Sequence, residues 1–315
     1  MRKVFFLLII EIGGIIKLIR CFFFFLFYRK KVLLVRAAVI CRVRHLKHFN
    51  WGDDINLYFL SLISGKKIVF LPHSRFANIF SIPSYLGIGS IISFYNLNKT
   101  TIIGSGILSN SEIKRLRGKP SKICFVRGPL TRDILIKYGI DCPKIYGDLA
   151  LALPLYYKTK VKKIYRIGIV LHLLDEKLDS VKYIQKTYPD IKIIHMNSYG
   201  KWTDVIDEIN ECDVIFSSAL HGLIVSEAYG VCSKWISFSD RKSTHWDSGY
   251  EFKYIDFYAS IGKKEEKPYA IVKETNLYKL AQAVEKSWIP ASFDAKKLIE
   301  ALPEDFVGRD AVIQQ

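Results

Sequence analysis

Acidic residues are scarce in this 315-residue chain: 30 Asp and Glu face 47 Lys and Arg, a formal net charge of +17. The deficit is sharpest over residues 1–48, where Glu11 is the one acid among eleven Lys or Arg. Such a surplus attracts anions, whether nucleic acid, acidic lipid or phosphorylated small molecules. Zinc-type cysteine spacing is also missing. The six cysteines (Cys21, Cys41, Cys124, Cys142, Cys212 and Cys232) include no C-x-x-C pair. They read as reduced thiols of a cytosolic protein, with no structural zinc. There is no repeat of 20–50 residues, which excludes a solenoid or propeller. Nor is there an RNP-type or zinc-finger pattern, so nucleic acid is not an expected partner. What is present is apolar bulk: 50% hydrophobic and 14% aromatic residues. That excludes wholesale disorder, collagen and coiled coil, and the length suits about two domains.

The long apolar run, residues 4–28, is interrupted by Glu11, Lys17 and Arg20. Its length suits a membrane span, but each charge near mid-bilayer costs roughly 2.5–3.5 kcal/mol. No small-residue cleavage site follows, which argues against a signal peptide. Aromatic bulk combined with Lys and Arg fits an interfacial helix on an anionic membrane surface, met through residues 1–48. A true span and a piece of folded core are the alternatives. Arg29, Lys30 and Lys31 place the segment's end on the cytoplasmic side, so the expected location is cytoplasmic, at the inner face of the cell membrane.

From residue 32 short apolar runs alternate with helical stretches, the mark of a parallel α/β sheet. Strands are expected at Val32–Ile40, Ile68–Leu71, Thr101–Ile103, Ile123–Val126 and Lys144–Tyr146, with helices at Asp53–Ile63 and Pro129–Tyr138. The basic stretch Leu155–Tyr165 reads as a linker, after which the pattern restarts. Strands follow at Ile167–Leu171, Ile191–His195, Asp213–Ser217 and Ser233–Phe238. Helices follow at Lys177–Tyr188, Trp202–Cys212 and Leu220–Gly230. The fold expected is α/β, with two Rossmann-like domains facing across a cleft. Their limits are 32–158 and 159–274, preceded by the basic apolar segment 1–31 and followed by a helical tail 275–315 that packs back on the first domain. In such folds ligands bind beyond the carboxyl ends of the strands.

Five stretches fall at those ends. In DVIFSSALHGLIVSEAYG (residues 213–230) a strand runs into Ser217 and Ser218, and a helix begins. Free first-turn amides there suit a phosphate or carboxylate. His221 in that turn is a candidate general acid, and Gly222 permits close approach. In NWGDDIN (residues 50–56) Asn50, Asp53, Asp54 and Asn56 open a helix. Adjacent Asp53 and Asp54 point in different directions, so one reaches substrate as base or hydroxyl acceptor while the other caps. The turn Gly104, Ser105 and Gly106 permits tight backbone approach. Arg127, at a strand end before a Pro-started helix, is placed to grip an anion. Asp148 shapes the site or caps a helix. The reading selects His221, Asp53 and Arg127 as catalytic. Asn50, Asp54, Asn56, Gly104, Ser105, Gly106, Asp148, Ser217, Ser218, Gly222 and Glu227 are candidates for substrate binding.

The set N-x-G-D-D-x-N, G-S-G, V-R-G-P-L-T, G-D-x-A-L, S-S-x-L-H-G-L-I-V-x-E-A-Y-G and F-K-Y-I-D-F-Y-A-S resembles the polysaccharide pyruvyl transferase family in order and spacing, over about residues 45–262. The resemblance implies a fold similar to GT-B glycosyltransferases. It implies transfer of the pyruvyl group of phosphoenolpyruvate to two hydroxyls of a sugar, forming a ketal during surface-polysaccharide biosynthesis. It places the catalytic His on His221, a donor-binding Arg on Arg127 and the active-site acid on Asp53 or Asp54. It implies no resident cofactor or metal; phosphoenolpyruvate is the donor substrate, and the expected acceptor is a lipid-linked oligosaccharide. Several members carry Arg two residues before the His, where this chain has Ala219; Lys234, Arg241 and Lys242 are the candidate replacements. The rival reading is a glycosyltransferase with a nucleotide sugar in the same cleft, Glu227 reaching the ribose.

Overall fold

A computed structural model describes residues 2–28, 30–37, 50–71, 81–241, 249–264 and 267–308. Cys41, Lys242, the distal part of the first expected strand and the basic residues Arg29, Arg42, Arg44 and Lys47 lie outside them. The described residues hold two five-stranded sheets, every pairing in them parallel. The first contains β1 (Val32–Arg36), β2 (Lys67–Phe70), β3 (Ser84–Leu86), β4 (Thr100–Ile103) and β5 (Lys122–Phe125), in the order β2-β1-β3-β4-β5. The second contains β6 (Tyr165–Leu171), β7 (Lys192–His195), β8 (Cys212–Ser217), β9 (Cys232–Phe238) and β10 (Tyr269–Ile271), in the order β7-β6-β8-β9-β10. Each sheet therefore has the doubly wound order 2-1-3-4-5. Its topological switch point lies between β1 and β3 in one sheet and between β6 and β8 in the other.

Parallel strands are buried on both faces, which explains their unbroken apolar runs; all five residues of β1 are buried. The helices cover those faces. α1 (Arg2–Tyr28) lies against β1. α2 (Trp51–Ser64) has Asp53 and Asp54 in its first turn, favourable to the helix dipole, and stops at Gly65 with φ 63°. α3 (Pro129–Lys137) starts on a proline at the first helical position, where its missing N–H costs nothing. α4 (Asp179–Thr187), α5 (Asp204–Asn210), α6 (Leu220–Ala228) and α7 (Phe252–Ser260) belong to the second half.

Two expectations change here. Lys144–Tyr146 is not a strand; it contributes one bridge, Val126 to Tyr146. The expected linker Leu155–Tyr165 is irregular from residue 156 to 164, but its first residue ends a 3-10 helix, Leu149–Leu155, whose five buried residues pack beneath α6.

The chain then returns. α8 (Leu277–Ser287) covers β8 and β9. α9 (Ala295–Glu300) sits on the 3-10 helix, and the segment after it reaches the first sheet. Phe306 is fully buried with its ring 5.0 Å from that of Tyr85, and the Gly308 amide donates to the Ile63 carbonyl. A single core runs from Val35 and Phe59 through Leu151 to Leu223 and Phe306. The five described cysteines are free thiols.

Candidate functional site

The start of α2 emerges at the first switch point and the start of α6 at the second, and the two meet. A Cβ placed on Gly52 would overlap the His221 ring, so only glycine lets the helix start approach the imidazole this closely. The contact is fastened on both sides. The Trp51 amide donates to the Met196 carbonyl at 2.6 Å, and its indole Nε1 donates to the Trp202 carbonyl at 2.7 Å. The Tyr199 hydroxyl donates to Asp54 Oδ2 at 2.7 Å. Asp54 is thereby committed to the seam rather than to substrate.

Asp53 points the other way. The Asn50 amide donates to its Oδ2 at 2.7 Å, and its carboxyl lies near Gly89. Burial, with Asp54 adding to it, pushes its pKa up to about 6 against the pull of Asn50 and Lys253.

His221 lies in the first turn of α6, whose N-cap is Ala219 without a side-chain hydrogen bond to the helix. Its Nε2 is covered and has no hydrogen-bond partner among the described residues, although the residue keeps partial exposure. Burial, then the charges of Lys253 and Arg127, lower its pKa to about 3. As the chain stands, His221 is therefore a neutral imidazole. Ser217 and Ser218 do not cap α6 either. Ser217 Oγ donates to the Ala219 carbonyl and accepts from the Ala219 amide, while Ser218 Oγ accepts from the His172 amide. A Cβ on Gly222 would overlap Ser217 and press on Val170, so that glycine serves helix–strand packing.

Around His221 stand residues the sequence reading passed over. Lys253, on α7, is buried with its Nζ 3.6 Å from the Tyr250 ring centre and 5.1 Å from that of Tyr254. Both contacts are cation–π geometry. Burial first, then Arg127 and Arg241, hold its pKa well below the usual lysine range. The Tyr254 hydroxyl donates to the Ser218 carbonyl at 2.7 Å, tying α7 to the start of α6. Tyr250 Oη meets His172 Nε2 at 2.5 Å. His172 Nδ1 accepts from the Leu174 amide, so Nε2 carries the proton and donates. Burial, then Lys253 and Arg241, lower the His172 pKa to about 2. Arg241 pairs with buried Asp175 at 3.5 Å and lies over the Tyr250 ring. Of the proposed replacements at Ala219, Arg241 is thus beside the site, while Lys234 lines a separate cavity.

Four further expectations are corrected. Arg127 is fully buried and offers no open fork: Nε donates to Asp256, Nη1 to Ser90, and Nη2 to the Ile107 carbonyl. Asn56 is fully buried and zips α2 to Ile88, its amide donating to the Ile88 carbonyl and its oxygen accepting from the Ile88 amide. The 104–106 turn is structural. Gly104 has φ 98° and packs under Phe125, Ser105 Oγ donates to the Gly89 carbonyl, and Gly106 leaves room for the Arg127 guanidinium. Glu227 ends α6 roughly 9 Å of helix from His221 and is spent on Lys263, Ser233 and Trp288 around a cavity of about 370 Å³.

Asp148 caps the 3-10 helix through the Ala150 amide; burial pushes its pKa up to about 6. Among the described residues no cluster of three or more His, Cys, Asp or Glu is arranged to hold a metal ion.

Lys253 and Asp256 left one faint trace in the sequence: two charges three apart inside the aromatic run FKYIDFY, on one helix face. His172 follows the carboxyl end of β6 and was open to the same strand-end rule that selected His221.

Comparison with known proteins agrees with these segments. An uncharacterized protein of Acanthamoeba polyphaga mimivirus is 26% identical over 247 residues, 74% of this chain and 78% of its own length. The succinoglycan biosynthesis protein ExoV of Rhizobium meliloti (strain 1021) is 26% identical over 226 residues, 69% of this chain and 63% of its own length. A sequence profile of the polysaccharide pyruvyl transferase family matches residues 16–240, a span that carries both helix starts and His221. The chain therefore belongs to the polysaccharide pyruvyl transferase family.

Proposed function

We propose that this protein transfers the pyruvyl group of phosphoenolpyruvate to two hydroxyls of a sugar, forming a cyclic ketal on a polysaccharide precursor. The observation that carries the reading is the covered, unpartnered Nε2 of His221 at the uncapped start of α6, with Lys253 and Asp53 around it. In this reading the two sheets act as GT-B-like halves, the donor on the α6 side and the acceptor on the α2 side.

Phosphoenolpyruvate brings a phosphate and a carboxylate. The α6 first-turn amides and Lys253 hold them, with Arg241 contributing its field. Arg127 acts from behind, by fixing α7. Donor binding also changes His221. One negative charge about 4 Å away is worth roughly 4 kcal/mol at an effective dielectric near 20, or about three pKa units. The dianionic donor thus brings the imidazole from about 3 into the range where it carries a proton. His221 passes that proton to the enol methylene, and the carbon beside it becomes oxocarbenium-like. A sugar hydroxyl attacks that carbon, its proton accepted by Asp53. The C–O bond to phosphate breaks, the phosphate leaves with the balancing proton, and a neighbouring hydroxyl closes the ketal.

The acceptor is a lipid-linked oligosaccharide on the cytoplasmic side of the membrane. The nucleotide-sugar alternative loses its ribose contact, because Glu227 is bonded elsewhere. The test incubates enzyme, phosphoenolpyruvate and cell-derived glycolipid, and follows phosphate release together with the mass gain of a ketal. A His221→Ala variant should be slower by about 10²–10⁴-fold. Near-normal turnover by that variant removes His221 from the chemistry. Turnover with a UDP- or CMP-sugar, and none with phosphoenolpyruvate, replaces the reading.

A further inference from the structure

α1 has two apolar faces, and among the described residues only one is covered. Leu18, Cys21 and Phe25 recur every three or four residues, in line with buried Gly14, and pack with Val32, Leu34, Leu71 and Ile82 at the outer side of the first sheet. On the opposite face Ile12, Ile16, Ile19, Phe23, Leu26 and Phe27 recur with the same period, and each is 49–79% exposed. The stripe runs roughly 22 Å along the helix. A contiguous apolar strip of that size on a globular protein marks an interaction surface.

We propose that this stripe seats α1 in the plane of an anionic lipid surface, with the first sheet standing behind it. The charges choose the occupant. Lys17 and Arg20 are exposed along one border of the stripe, and Lys30 and Lys31 are exposed just past its end. A second copy docked stripe to stripe would bring these cations against their own images, whereas anionic headgroups complement them. The covered face settles the orientation. A helix with a β-sheet on one side cannot be surrounded by lipid, and among the described residues no helix is long and apolar enough to cross a membrane. The helix lies flat, its aromatic residues at the acyl boundary. This inference is independent of the reaction proposed above, because it concerns binding and not turnover.

The experiment is co-sedimentation of the full chain with vesicles of phosphatidylcholine alone and of phosphatidylcholine with 30% phosphatidylglycerol. Wild type is expected to pellet with the anionic vesicles. Ile19→Glu/Phe23→Glu should lower the partition coefficient at least tenfold, with an unchanged circular dichroism melt. Lys17→Gln/Arg20→Gln should lower it about 25-fold on anionic vesicles, at about fivefold per cation, and leave the neutral ones unaffected. If the Glu variant does not fold, Phe23→Trp in the otherwise native chain gives the same information through quenching by brominated acyl chains. Three results overturn the inference: wild type that stays in the supernatant, a Glu variant or tryptophan that behaves as though no lipid were near, or a lipid-free dimer that Phe23→Glu splits.

Discussion

Arg127 and Asp256 form a fully buried ion pair at 3.0 Å, joining the end of β5 to α7. Asp256 also accepts from the Thr131 amide and hydroxyl, at 2.9 and 2.7 Å, and so caps α3 from a distance. One turn earlier on α7 stands Lys253. The pair therefore sets where that ammonium meets the start of α6. Removing one partner strands the other charge in the interior. Asp256→Asn should lower unfolding free energy by about 3–5 kcal/mol, as read by urea denaturation. A loss under 1 kcal/mol would show that the pair does not hold α7.

Lys253→Met should raise KM for phosphoenolpyruvate more than tenfold while leaving kcat within a few-fold, and Lys253→Arg should recover part of it. A hydrogen bond to a charged group is worth roughly 1.5–3 kcal/mol, which sets that scale. Steady-state kinetics on both variants decide between donor binding and scaffolding, since a scaffolding lysine would move kcat and stability together.

Gly52→Ala adds one methyl where the His221 ring already lies. Overpacking of this kind costs about 1–3 kcal/mol in stability. Because the atom displaced is the imidazole, pyruvyl transfer should fall by at least 100-fold, far beyond what the stability loss accounts for. Thermal melts and phosphate-release rates measured on one preparation test the disproportion.

The histidine also predicts a pH dependence. With its folded pKa near 3 and an unfolded value near 6.5, His221 is neutral in both states at pH 7. As pH falls below 6.5 the unfolded chain takes up a proton that the folded chain refuses until about pH 3. Stability from this group is present above 6.5 and is lost on acidification, by about 1.4 kcal/mol per pH unit. Relative to His221→Gln, wild type should lose about 2 kcal/mol between pH 7 and pH 5. Urea titrations at the two pH values measure it, and equal pH dependence in both proteins would exclude a neutral buried imidazole.

Asp53 gives the complementary limb. Its raised pKa, about 6, means that a base at this position is lost as pH falls through 6. The pH–rate profile should drop there with slope one, and Asp53→Asn should abolish the limb along with most of kcat. A profile that is flat from pH 5 to 7 assigns the base elsewhere.

The alternation of apolar runs with helical stretches carried most of the fold. β6 is one residue pair longer than expected at its start, α8 lies inside the expected helical tail, and α6 ends two residues short. β3 and β10 were not legible. Each has three residues, and β3 owes its conformation to partners on both sides rather than to an apolar run. β10 is an edge strand in which Ile271 alone is buried. At the site, the local strand-end rule pointed to the segments around Asp53 and His221, which the folded chain does bring together. It also selected Arg127, Asn56, Ser217 and Gly222, because polar and small residues at strand ends serve packing as readily as binding. Lys253 and His172 left only faint signals, a charge spacing and a strand end, because the packing that brings them and Tyr250 to His221 is tertiary.

The returning tail has a consequence for how the molecule is made. Leu298, Leu302 and Phe306 complete the core that Val35, Phe59 and Leu60 begin. Roughly 240–270 residues separate those partners, so the earliest strands emerge from the ribosome without the side chains that close over them. Contacts of such long range are slow to form, and until they do the nascent first half presents apolar surface that holdase chaperones recognise.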